Sequence, residues 1–136
     1  MEFLKFSLAG FDDFLGYFGL SIVYVVVYLA IYVRVTPYRE FTLIREGSAA
    51  AAASLTGSLI GFCLPLASAV IHSVNAIDMA LWAAIALVVQ IVIYVAIRLL
   101  MPDIVRDIPD GKVGAGVFLG GASLAAGILN AACMSY

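Results

Sequence analysis

Five versatile side chains are set within long apolar runs of this 136-residue chain: His72, Cys63, Cys133, Gln90 and Asn130. A single histidine can carry a proton or ligate a metal. His72 sits at the end of its run, so a hydrogen-bonded interfacial imidazole is the plainer reading. Cys63 and Cys133 show neither Cys-x-x-Cys nor Cys/His spacing, which points away from zinc and from a disulfide framework. They read as small buried apolar residues, with thiol redox chemistry as a minor alternative, since Cys133 is placed near an oxidising face. Gln90 and Asn130 suit hydrogen bonds between helices in lipid. No phosphate loop, nucleophile elbow, paired carboxylates or HExxH occurs, so no catalytic residue, cofactor or metal site is expected. No Asp or Glu falls inside an apolar run, which removes the obvious carboxylate relay for ion coupling.

His72, Gln90 and Asn130 fall on stripes. Ser54, Ser58, Gly61, Pro65, Ser68 and His72 recur at steps of three or four, and Gly116, Gly120, Ser123, Gly127 and Asn130 do the same. Two further stripes are Tyr17, Ser21, Tyr24, Tyr28, Tyr32 and Ala83, Ala86, Gln90, Tyr94, Arg98. Such spacing gives each helix one small or polar face. Pro65 lacks an N–H and frees the carbonyl of Gly61. Gly127 occupies the matching place on the fourth run. Paired interruptions of this kind point to a transport site in some membrane folds; a packing kink beside a close helix contact is the plainer reading.

The elements that position the stripes are membrane spans. The chain is 65% hydrophobic and 12% charged, well outside the usual balance of soluble domains. About 20 apolar residues cross a bilayer core. Four runs qualify: Asp13 to Val35, Ser48 to Val74, Met79 to Met101, and Val113 to Tyr136. Pro37 and Pro102 are expected stops, and Ser48 and Asp78 expected N-caps. The first run lacks a small-residue cleavage site and is expected to be retained. Six of the seven Lys and Arg (Arg34, Arg39, Arg45, Arg98, Arg106, Lys112) collect at one face, with only Lys5 at the other. The positive-inside rule then places both termini outside and both long connections in the cytoplasm. A net charge of −2 gives no reason to expect nucleic acid.

Those connections, residues 38–46 and 103–112, read either as short interfacial amphipathic helices or as charged loops with a few apolar anchors. In the first, Phe41 and Ile44 are three apart; in the second, Ile104 and Ile108 are four apart.

A shift of 64 residues brings Arg34 onto Arg98, Ile44 onto Ile108, Gly47 onto Gly111, Leu55 onto Leu119 and Gly57 onto Gly121. The expected fold is therefore an all-α membrane protein of one domain. It has four transmembrane helices from two parallel two-helix repeats, about 13–74 and 79–136, with interfacial segments between spans one and two and between three and four. Spans one and three are bulky and expected to face lipid. Spans two and four are rich in Ala, Gly and Ser and expected to pack on protein.

The runs GILNAACMSY, PLASAVIHSV and ALVVQ and the RLLMP stop resemble the YjfL-like family along essentially the whole chain. The resemblance implies a bacterial inner-membrane protein with a duplicated two-span fold, grouped as a domain of unknown function. It implies no activity and no site residues. The leading expectation is a non-enzymatic scaffold or accessory subunit that self-assembles or joins a membrane or cytoplasmic partner. An oligomeric transporter or channel protomer with a site near Pro65 and Gly127 is the alternative. Membrane lipids are the only other expected partners.

Overall fold

The computed structural model describes residues 2–134. Its helices are α1 (Glu2–Ser7), α2 (Phe11–Val35), α3 (Glu40–Arg45), α4 (Ala49–His72), α5 (Ala76–Leu100), α6 (Ile104–Asp107) and α7 (Val113–Cys133). Four stretches are long and apolar enough to cross a membrane: Glu2–Val35, Ala49–His72, Ala76–Leu100 and Val113–Cys133. They match the four expected spans, except that the part of the fourth at Ser135 and Tyr136 lies outside the described residues. The short helix α1 was not foreseen.

The ends of the helices follow local chemistry. α2 stops at Val35 ahead of Pro37, and α5 at Leu100 ahead of Pro102, because proline cannot donate to the next turn. Ser48 caps α4 by accepting the Ala51 N–H at 3.2 Å. Asp78 is not the cap of α5. Asn75 caps it by accepting the Asp78 N–H at 2.8 Å, while the Asp78 carboxylate accepts the Val74 N–H at 3.1 Å. Asn75 precedes the first helical turn, so its side chain reaches the free amides; Asp78 lies within that turn. Both connections form helices, α3 and α6, at the end of the bundle that carries the six clustered cations, here called the basic end. Each is followed by a glycine with positive φ, Gly47 at 91° and Gly111 at 83°. A side chain there would be strained, and the two glycines are the same 64 residues apart as in the sequence register.

α4 is the hub. It packs most extensively along α7 and also meets α2, α3 and α5. Successive contacts pair Ala50 with Gly116, Gly57 with Gly120 and Gly61 with Gly127, so α4 and α7 run in the same direction. A Cβ added at Gly57, Gly61, Gly116, Gly120 or Gly127 would run into backbone of the facing helix. The small residues let two backbones touch where lipid gives no hydrophobic drive to do so. Gly57 with Gly61 and Gly116 with Gly120 form GxxxG pairs, and both pairs are used within the chain. Half of the apolar window of α4 is buried, against 28% in both α5 and α7 and 6% in the first span. The expectation that span four is buried more than span three needs correcting: α7 turns only its glycine stripe inward and exposes Val117, Phe118, Ile128 and Leu129.

Candidate functional site

The stripes converge on a polar column between α4 and α7. Ser54, Ser58, Gly61, Pro65 and Ser68 of α4 are buried, as are Gly116, Gly120, Ser123 and Gly127 of α7 and Gln90 of α5. Ser58 Oγ lies 3.2 Å from Tyr32 Oη and 3.3 Å from Ser123 Oγ. Gln90 Nε2 donates to the Ser123 carbonyl at 3.2 Å, so that with the Tyr32 and Ser58 contacts all four spans are tied together. Ser54 donates to its own helix, at the Ala51 carbonyl. Further from the basic end, Ser68 donates to the Ala131 carbonyl at 3.1 Å. His72 is exposed at the end of α4, with Nδ1 2.9 Å from the Ser68 carbonyl and 3.3 Å from its hydroxyl. Asn130 is only half-buried, and its Nδ2 has no partner among the described residues. It stands apart from the column.

Pro65 and Gly127 come together through Gly61. A Cβ on Gly127 would strike the Gly61 carbonyl, the one that Pro65 leaves without its helical donor. The paired interruption is a backbone-to-backbone contact. Cys63 is half-buried, Cys133 exposed, and both are free.

The tyrosine stripe faces inward. Tyr28 stacks on Phe62 with ring centroids 4.6 Å apart, and Tyr32 meets Tyr94 edge-on at 5.2 Å. Tyr24 donates to the Ala80 carbonyl at 2.7 Å and fastens α2 to α5. Tyr32 is fully buried, near the end of the bundle that α3 closes by packing on α4.

That closure brings in a residue the sequence reading passed over. Glu40, the first residue of α3, is 1% exposed, and neither carboxyl oxygen has a hydrogen-bond partner among the described residues. Tyr38 and Tyr94, within electrostatic reach of it, also carry buried hydroxyls without a partner. Burial pushes the Glu40 carboxyl up to about 7, against a small opposing effect of the Thr36 hydroxyl. The Tyr38 phenol is also pushed up, by burial first and by the Glu40 charge second. Arg98 donates to the Val35 carbonyl at 3.3 Å and forms no ion pair with Glu40. The absence of acidic residues within spans therefore does not leave the core without a carboxyl. A signal was present: Leu43 and Ile44, three and four residues on, share the helical face of Glu40.

Four apolar spans around a buried, small-residue core, with short helices at one end, define a multi-pass membrane protein. Residues 6–134 match the Domain of Unknown Function DUF350, and the chain belongs to that family. It is similar to the UPF0719 inner membrane protein YjfL of Escherichia coli K12, 40% identical over 123 residues that cover 90% of this chain and 93% of the relative. The protein of that name from Escherichia coli O157:H7 matches to the same extent. An inner-membrane location follows. No solved structure matches the chain.

Proposed function

We propose that the protein is a non-enzymatic subunit that acts by assembling in the membrane, with copies of itself first and with a membrane or cytoplasmic partner as the other form of the same role. The observation that carries this is the burial of the column: Ser58 and Ser123 are 0% and 2% exposed and bond to each other. The polar faces thus serve cohesion within the chain. A cavity of about 340 Å³ between α2 and α4, lined by residues such as Ile22, Val25, Cys63 and Leu66, is almost wholly apolar and suits acyl chains. Assembly would use faces outside the column. The first span contributes little to the core, and its Phe11, Phe14 and Phe18 stack in an exposed row. The common 64-residue register of Gly47 and Gly111 supports a duplicated unit. Mass measurement of the protein in lipid nanodiscs at low loading tests self-assembly. Discrete oligomers that lose subunits when Phe14 and Phe18 become Ala support it, and a strictly monomeric particle overturns it. An oligomeric transport protomer is the second reading. The buried Glu40 favours it, and water access to the column tests it.

A further inference from the structure

We propose that Glu40 is a proton-binding site, loaded from the basic end, and that the bound proton latches α3 onto the bundle.

Three observations carry this. The first is burial without neutralisation. Both carboxyl oxygens are enclosed and unpartnered among the described residues, although the chain places six cations at this end. A buried carboxylate with no counter-charge is costly, and taking up a proton removes that cost. The groups facing it cannot neutralise it. α2 brings the phenols of Tyr28 and Tyr32, and the connection brings Thr36 and Tyr38. α5 brings Tyr94, with Arg98 directed towards Tyr38 and Tyr94. α4, on which α3 packs, brings Ser54 beside Tyr38. The shift of the carboxyl to about 7 agrees with the geometry.

The second is the other half of the molecule. The 64-residue register sets Glu40 of α3 against Ile104 of α6, and Ile104 is equally enclosed at 1% exposed. An alkyl side chain therefore suffices to seat the first turn of such a helix. Packing alone does not call for a carboxyl at this position.

The third is access. Glu40 borders an open cleft of about 340 Å³ together with Thr36, Pro37, Tyr38 and Arg39, so a proton reaches it without crossing the apolar core. Ionisation would place an unpaired charge under α3, and the least costly escape is for α3 to swing the carboxylate out into that cleft. The latch does not depend on whether the protein assembles or transports.

The test uses the full-length protein in lipid nanodiscs. Infrared difference spectra between wild type and Glu40→Gln, taken from pH 5 to pH 9, isolate the protonated carboxyl band of Glu40. The expected midpoint is about 7. Hydrogen exchange of residues 38–46 should rise at least tenfold more, on going from pH 6 to pH 8, in wild type than in Glu40→Ile, after correction for intrinsic exchange. Glu40→Ile adopts the residue that the matched position already accommodates, which guards against a variant that fails to fold. A band that has vanished by pH 5.5, or exchange that rises equally in both proteins, overturns the proposal. A midpoint that moves when choline replaces sodium or potassium at constant ionic strength overturns the proton as occupant and assigns the carboxylate to an alkali cation.

Discussion

The α4/α7 contact makes a quantitative prediction at Gly127. A Cβ built there lies 2.6 Å from Gly61 Cα and closer still to the Gly61 carbonyl oxygen. Carbon atoms pack at about 3.5–4.0 Å, so Gly127→Ala must push the two backbones apart by roughly 1 Å. Overfilling a packed core costs about 1–3 kcal/mol. Loosening the Ser58–Ser123 hydroxyl contact adds about 0.6 kcal/mol, typical of polar contacts in membranes. Alanine recovers up to about 1 kcal/mol of helix preference. The net expectation is a loss of about 1–3 kcal/mol. Gly121, six residues earlier on the same helix, has nothing within 4 Å of its added Cβ. Gly121→Ala should therefore be neutral or stabilise by up to about 1 kcal/mol. Reversible unfolding of both variants in mixed detergent micelles gives the comparison. Equal stabilities would refute the idea that α4 and α7 touch backbone to backbone, and a Gly61→Leu variant as stable as wild type would do so more severely.

The remaining predictions concern charge, topology and sulfur. Glu40 titrates near 4.5 when unfolded and near 7 when folded, so the folded state holds its proton longer, and stability falls as pH rises from 4.5 towards 7 and stays low above it. Between pH 5 and pH 8 wild type should lose on the order of 2–3 kcal/mol for the shift to about 7, a loss absent in Glu40→Gln. Alkaline phosphatase fused after Tyr136 should be active, and fusions within residues 38–46 or 103–112 inactive; the opposite pattern would reverse the orientation given by the six-to-one cation split. Cys63→Ala with Cys133→Ala should leave folding and assembly within about 1 kcal/mol of wild type, whereas normal folding with complete loss of a cellular phenotype would revive thiol chemistry.

Much of the fold was legible because lipid imposes strong rules. Run length marked the spans, and Pro37, Pro102 and Ser48 marked the ends. The three-and-four spacing of Ser58, Gly61, Ser123 and Gly127 marked the face that is buried. Three features were harder to read. At the start of α5, two polar residues three apart compete to cap one helix, and only geometry shows that Asn75 wins over Asp78. Composition alone overstated the burial of α7, because a glycine stripe buries one narrow face and leaves the rest to lipid. Glu40 was missed because a carboxyl between spans ordinarily faces water; its burial depends on α3 folding back under the bundle, a tertiary effect.

Water access to the column is the decisive measurement. In a Cys63→Ala/Cys133→Ala background, single substitutions Ser58→Cys and Ser123→Cys are exposed to a membrane-impermeant thiol reagent in lipid, with Asn75→Cys as the exposed control. A dry intrachain contact excludes water, so the control should label fully while Ser58→Cys and Ser123→Cys stay unlabelled from both sides. Robust labelling of either deep position in the intact, assembled protein would contradict the dry core and establish a hydrated path between α4 and α7.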